Sequence, residues 1–316
     1  MKRGVFDTLR RGFDDNVANW PLIAIRVAQM VLMFAIVFAG VLAVVVPLLL
    51  SIGIRVATLR SPEAISEAML ALLHNGLLIV WIVAGMLALF ALIIAMSAFV
   101  EAGCARVYVD AERAAGPAAG GPRARFRVFT MQRFLSGATS GWWPVFWIYN
   151  LIWSVAALIV LAPLIVIAAL MFVTRNNQPA MVLLGCGGLL LLFLVCIPIV
   201  VVTGMWANRA IVERAAGQLG TSDAISVAWR ALRHDLGRHL GIAMAILVVA
   251  FAASSVAGSF SFIAAFGQIA GRNNGFIPLA MLPLRIFSQI LSIACSAAVT
   301  SWYVASYAAL AVEGPR

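Results

Sequence analysis

Six apolar runs constrain this chain more than any other feature: 22–52, 76–100, 143–173, 180–205, 240–266 and 278–311. A hydrocarbon core about 30 Å thick needs a helix of roughly 20 apolar residues. Inside lipid every backbone N–H and C=O must be paired by the protein, so an uninterrupted run of this length becomes a helix. A membrane barrel would instead show segments of about ten residues alternating polar and apolar, and Ile79–Phe99 has no such alternation. Composition agrees: 64% of the residues are hydrophobic and 11% charged, against about 45–50% and 25% in soluble domains. The expected fold is an all-α polytopic helical bundle of six transmembrane helices, forming one membrane domain over residues 1–316 with no second, soluble domain.

The amino-terminal segment, polar to Asn19, carries Asp7, Asp14 and Asp15 beside four basic residues. The apolar run after it exceeds the 7–15 residues of a secretory signal, so it is expected to be a retained first span. Charge sets the orientation. Of the 22 basic residues, all but Lys2 are arginine. Sixteen fall on one side, in the amino-terminal segment, the loops 101–142 and 206–239, and the tail. Four fall on the other (Arg55, Arg60, Arg175 and Arg272), and Arg26 and Arg285 lie inside apolar runs. The positive-inside rule places both termini and both long loops in the cytoplasm. The arginines suit anionic lipid heads, at about 1 kcal/mol each near the surface. Nucleic acid, the usual partner of so basic a chain, is excluded by this placement.

Glu112-Arg-Ala-Ala-Gly116 recurs as Glu213-Arg-Ala-Ala-Gly217, each copy just past an apolar run, with Gly103 meeting Gly204 at the same offset. Ala311-Val-Glu-Gly314 resembles a shortened third copy. Trp20-Pro21 opens the first span and Trp143-Pro144 is expected to open the third, since proline is tolerated in a helix's first turn. Short amphipathic segments precede the odd spans. Phe6, Leu9, Phe13, Val17 and Trp20 follow helical spacing, as do Ile225, Ala228, Leu232, Leu236 and Leu240; Phe126, Phe129 and Phe134 are less regular. Apolar residues at this spacing with arginines opposite describe a helix in the membrane interface, with packing on the spans as the competing reading. Thr221 or Ser222 can cap the third such helix, and Asp223 adds favourable charge. The plan is three repeated hairpin units, 1–121, 122–221 and 222–316, each preceded by an amphipathic interfacial helix. Gly116–Gly121, with Pro117 and Pro122, forms a linker.

Chemistry is sparse. No catalytic or phosphate-loop motif is present. His74, His234 and His239 have poor spacing for a shared metal, and Cys104, Cys186, Cys196 and Cys295 read as apolar packing residues. No metal, cofactor or catalytic residue is expected. Prolines 47, 163, 198 and 283 interrupt spans. Ser254, Ser255, Gly258 and Ser259, and Gly185, Gly187 and Gly188, supply small residues for close helix approach. An intramembrane charge is a site candidate by default. Arg285, with Gln289 four residues on, is the candidate for a polar cavity taking an anionic head group, and Asn150 is added to it. Arg26, Arg113 and Arg214 are candidates for contact with lipid head groups, Arg26 by extending its side chain to the interface.

Asn208–Ile242, with Ala210-Ile-Val-Glu213, Ser226-Val-Ala-Trp229 and Leu240-Gly241, resembles a bacterial group of six-span integral membrane proteins of unknown function. That group is related to the membrane domain attached to some glycerophosphodiester phosphodiesterases. The resemblance implies the six-span fold and a lipid-related role. It carries no catalytic residue, because the soluble phosphodiesterase domain has no counterpart here. The leading functional reading is a non-enzymatic anchoring, scaffolding or accessory protein contacting anionic membrane lipids or a protein partner complex. The alternative is a transporter or lipid-handling protein with a polar cavity near Arg285, and the third is a membrane-embedded lipid-head-group enzyme.

Overall fold

The computed structural model describes residues 3–52, 76–116, 123–174, 177–270 and 281–313. The expected linker after Gly116, the four arginines of the less basic connections, His74, Lys2 and the tail from Gly314 lie outside these residues. The described residues form helices and turns, with no strand among them. In chain order they are α1 (Val5–Ala18), α2 (Pro21–Ile52), α3 (Gly76–Ala115), α4 (Met131–Val173), α5 (Gln178–Val182), α6 (Gly188–Gly217), α7 (Thr221–His234), α8 (Leu236–Ala270) and α9 (Leu282–Glu313). A turn of 3-10 helix, Arg123–Phe126, precedes α4, and a π-helical turn, Leu183–Gly187, joins α5 to α6. Six segments are long and apolar enough to cross a membrane: Pro21–Val44, Gly76–Ala115, Met131–Val173, Leu183–Gly217, Leu236–Ile263 and Leu282–Glu313. That is the architecture of a multi-pass membrane protein.

The helices outrun the apolar stretches that foretell them. At 1.5 Å per residue the 40 residues of α3 reach about 60 Å, twice the hydrocarbon thickness. The surplus is the end that the protein buries. In α3 every buried position lies between Ala98 and Ala115, and in α9 nearly all lie from Ala297 onward. Across the six apolar windows few residues are buried, and large side chains such as Phe34, Leu158 and Phe193 are exposed. Lipid-facing apolar surface explains that exposure.

The residues group into two compact units, Met1–Arg26 with Ala98–Arg316, and Val27–Ser97. These limits fall inside α2 and α3. In the smaller unit, α2 and α3 meet through glycines: a Cβ on Gly40 or Gly85 would stand 2.7 Å from Leu89 or Val44. In the larger unit, one core joins α1, the basic end of α3, α4, α6, α7 and the last turns of α9 around Tyr108, Ile148, Met205, Ile211 and Tyr307.

Helix α1 enters that core polar side first. Thr8, Arg11, Asp15 and Asn16 are buried, while Phe6 at 85% and Trp20 at 62% are exposed, with Phe13 and Val17 beside them. Glycine allows the close approach. A Cβ on Gly12 would stand 2.7 Å from the backbone of Ser306 in α9. Tyr108 donates its hydroxyl to Asn16 Oδ1 at 2.9 Å, and Asn16 Nδ2 donates to the Ala298 carbonyl at 3.1 Å. Just past the helix, buried Asn19 acts as a clamp. Its amide donates to Asp15 Oδ1 and the Phe126 carbonyl, both at 2.7 Å, and accepts from the Val128 and Phe129 N–H groups at 3.2 and 2.9 Å. This fixes the strap 126–129 that leads into α4, whose N-cap Thr130 accepts from the Arg133 N–H at 3.2 Å.

Several boundaries differ from expectation. Pro21 does open α2, but Pro144 lies inside α4, which already begins at Met131. Pro283 falls in the first turn of α9 and interrupts nothing. Gly220, not Thr221 or Ser222, is the N-cap of α7, and no side chain caps it. Helix α7 turns Ala224, Ala228 and Leu232 inward, small residues that let it lie close on α6. A Cβ on Gly258 would meet nothing within 4 Å, so the expected close approach in α8 does not occur there. It occurs between Ser288, which donates to the Ala257 carbonyl at 2.8 Å, and Ser261, 2.5 Å from the Ser288 hydroxyl.

Candidate functional site

Each helix that ends at the arginine-rich side carries a glutamate close to its last turn: Glu112 in α3 and Glu213 in α6, both buried, and the half-buried Glu313 in α9. A carboxylate without a partner in such a place costs several kcal/mol, and each has an arginine. Arg11 Nε donates to Glu112 Oε2 at 2.6 Å, across 101 residues. Arg209 Nη2 donates to Glu213 Oε1 at 2.6 Å from one turn earlier in α6. Arg238 donates both to Glu313 and to the Thr8 hydroxyl, the latter at 3.0 Å. The Arg3 N–H also donates to Glu313, which ties the two ends of the chain together. The repeated motif attracts attention through its arginines; the glutamates hold the core.

Arg26 obeys the same rule. It is 2% exposed, and its two terminal nitrogens donate to the two oxygens of Glu101 at 2.6 Å each. The expected reach to lipid head groups is therefore replaced by a fork-to-fork pair inside the protein. A charge in an apolar run has two solutions, the interface or a buried counter-ion, and Glu101 supplies the second.

The motif's arginines divide. Arg113 donates to the Ala216 carbonyl at 2.6 Å, so the first copy satisfies one of the open carbonyls at the end of the second. Arg214 donates to the Ser140 carbonyl at 2.8 Å. That carbonyl is open because residue 144, its normal helical donor, is proline and has no N–H. The glycines divide too. Gly116, at φ +71°, ends α3 in the left-handed region that glycine enters freely, but after Gly217 that conformation falls to Gln218, at φ +53°. For a residue with a Cβ it costs roughly 1–2 kcal/mol.

Between these elements lies a cavity of about 450 Å³ lined by Ala102, Arg106, Ser136, Gly137, Ser140, Val145, Ile211, Arg214, Ala215 and Gln218. Its shape follows from small residues. A Cβ on Gly137 would stand 2.5 Å from Arg106 Cβ, and one on Gly141 would stand 2.9 Å from Ala102 Cβ. Arg106 Nε donates to Asp110 at 3.1 Å, and the buried Nε of Arg214 has no partner among the described residues. The Ser136 and Ser140 hydroxyls are exposed and return their hydrogens to α4 carbonyls at 3.0 and 2.7 Å. Trp142, Trp143, Phe146 and Trp147 form one ring cluster on the next turns of α4, with Trp143 stacked on Phe146 at 5.5 Å.

The residues expected to form a site near Arg285 are not brought together around this cavity. Arg285 and Gln289 are exposed on the first turns of α9, and Asn150 donates to its own helix at Phe146 O, 2.8 Å away. No group of three histidine, cysteine, aspartate or glutamate side chains among the described residues is placed to hold a metal ion. Outside the spans, burial pushes the Asp15 carboxyl well above the ordinary carboxylate range. Glu112 adds to that and the Asn19 hydrogen bond opposes it.

Compared with known proteins, the chain matches no family model, no curated protein and no solved structure.

Proposed function

We propose that this chain is an anchoring and scaffolding protein of the bacterial inner membrane, acting without catalysis, whose arginine-rich side lies in the cytoplasm against anionic lipid head groups. One observation carries the reading. Exposed arginines and exposed large apolar side chains share the same short elements: Arg10 with Phe6 and Phe13 on α1, followed by Trp20 in the turn after it, Arg133 with Met131 and Leu135 at the start of α4, and Arg230 and Arg233 with Trp229 on α7. Apolar side chains enter the acyl boundary and guanidinium groups remain at the phosphates. The Trp142–Trp147 cluster suits the same depth, where aromatic belts form.

The three-unit plan supports the reading. A glutamate recurs at 112, 213 and 313, each time near the end of an outgoing span and each time paired with an arginine. Three hairpins preceded by short interfacial segments would present one continuous basic face to lipid or to a protein partner. The lipid-handling alternative moves with the cavity, from Arg285 to Arg106 and Arg214.

Two measurements test this. A reporter fused after Arg316 should be active in the cytoplasm, and activity on the opposite side overturns the orientation. The full chain in nanodiscs, analysed by native mass spectrometry, should keep phosphatidylglycerol in preference to phosphatidylcholine. Equal retention overturns the anionic-lipid reading.

A further inference from the structure

We propose that the cavity between α3, α4 and α6 is a binding site for the phosphate monoester of a lipid head group. This deepens the anionic-lipid reading and rests on it. The first argument is charge. Arg106 and Arg214 line one cavity, and the acid nearest them, Asp110, engages Arg106 alone. Two guanidinium groups facing one space call for a ligand with more than one negative charge. A phosphate monoester, with its second pKa near 6, carries about −1.5 to −2 at neutral pH, whereas a diester carries one.

The second argument is donor geometry. Arg214 spends one terminal nitrogen, Nη2, on the carbonyl that Pro144 leaves open, which holds the guanidinium in place at the cavity wall. An ordered guanidinium with donors to spare suits phosphate, which arginine grips at two points. The Ser136 and Ser140 hydroxyls, exposed at the rim, need only a rotamer change to donate inward. The cavity, about 450 Å³, has the volume of a small-ligand site.

The third argument picks lipid over a free anion. Ser136, Ser140, Trp143 and Trp147 follow each other at four, three and four residues, which places them on one face of α4. That face runs from the two serines of the cavity to two exposed tryptophans. A molecule with its phosphate at the arginines would lay its acyl chains along Trp143 and Trp147, toward the apolar part of the helix. A free phosphate would leave that path unused.

The test uses the full chain in phosphatidylcholine nanodiscs containing phosphatidate and phosphatidylglycerol, with bound lipid counted by native mass spectrometry. The wild type should retain phosphatidate over phosphatidylglycerol. Arg214→Gln should lose about tenfold or more of that retention, as expected for a charge-assisted contact. Because Arg214 also supports α4, Ser136→Glu serves as the second variant. It places a carboxylate at the rim from an exposed helix position, leaves both arginines, and should lose a similar factor while unfolding at the wild-type temperature. Arg123→Gln, which removes an exposed arginine outside the cavity, should leave retention unchanged. Equal retention of the two anionic lipids above phosphatidylcholine, or an equal loss in Arg123→Gln, overturns the cavity and leaves the broader reading standing. Failure to prefer either anionic lipid overturns both. Inorganic phosphate that displaces phosphatidate at equal concentration overturns the lipid form of the site.

Discussion

On α1 the side chains turned into the protein are Thr8, Arg11, Asp15 and Asn16 with a single large apolar one, Leu9, and those turned outward include Phe6, Phe13 and Val17. On α7, another 14-residue helix just ahead of a long apolar one, Ala224, Ala228 and Leu232 point inward and Arg230 and Arg233 outward. Both show apolar residues at helical spacing, yet α1 buries mostly polar side chains and α7 buries apolar ones. The difference lies in the surface each meets. Helix α7 lies on α6, where small apolar side chains allow close packing. Helix α1 lies on ionic and polar groups: Glu112 for Arg11, Tyr108 for Asn16, and the backbone of α9 at Gly12. Amphipathic periodicity identifies a helix with two faces; the neighbour decides which face is inside.

The largest effect should come from stranding a charge under α1. Arg11→Leu leaves Glu112 buried with Arg3, at 3.8 Å, as its remaining cation among the described residues, and should cost about 3–5 kcal/mol of unfolding free energy in detergent. Adding Glu112→Leu should return most of it, because replacing both members of a buried pair by apolar residues is often neutral. If the double variant stays as unstable as the single one, the contrast with α7 has been misassigned. On α7 the matching change is Leu232→Ala. It removes packing alone and should cost about 2–5 kcal/mol, with no second-site rescue by a charge change.

A smaller effect concerns pH. The fold holds Asp15 with its pKa raised by burial. Its contribution is therefore fully present below the ordinary carboxylate value and is lost as pH rises toward the folded value. Asp15→Asn should flatten that fall, so the melting temperatures of variant and wild type should converge near pH 4 and separate upward from it. Parallel curves from pH 4 to 9 would show that Asp15 is not the group responsible. The smallest effect is expected on the outer face of α1: Phe6→Ser should change unfolding by less than about 0.5 kcal/mol. Association of a synthetic peptide of residues 1–20 with anionic vesicles should weaken measurably in the same variant, and a drop in protein stability instead would place Phe6 in the core.

The six spans were legible because apolar length alone decides them. Their ends were not. Apolar runs stop near residues 100 and 205, but α3 and α6 continue to Ala115 and Gly217, since paired glutamates and alanines extend a helix as well as leucines do. Glu101 lies 75 residues from Arg26, so no local pattern could reveal that the charge in the first run has an internal partner. The repeat did contain a signal: glutamates at 112, 213 and 313 fall at nearly equal intervals, and each is paired with an arginine. The cavity had no such signal, because Arg106, Ser140 and Arg214 meet only through the crossing of three helices.

Pro144 has a consequence for the order of assembly. The Ser140 carbonyl is satisfied by Arg214, which is 74 residues further along the chain. At synthesis rates of about 5–20 residues per second, α4 exists for roughly 4–15 s before that donor has been made. During this interval the turn around Pro144 has no protein donor to hold it. The turn of α4 at Pro144 is therefore completed late, when the end of α6 arrives, and the wall of the cavity is completed in the same event.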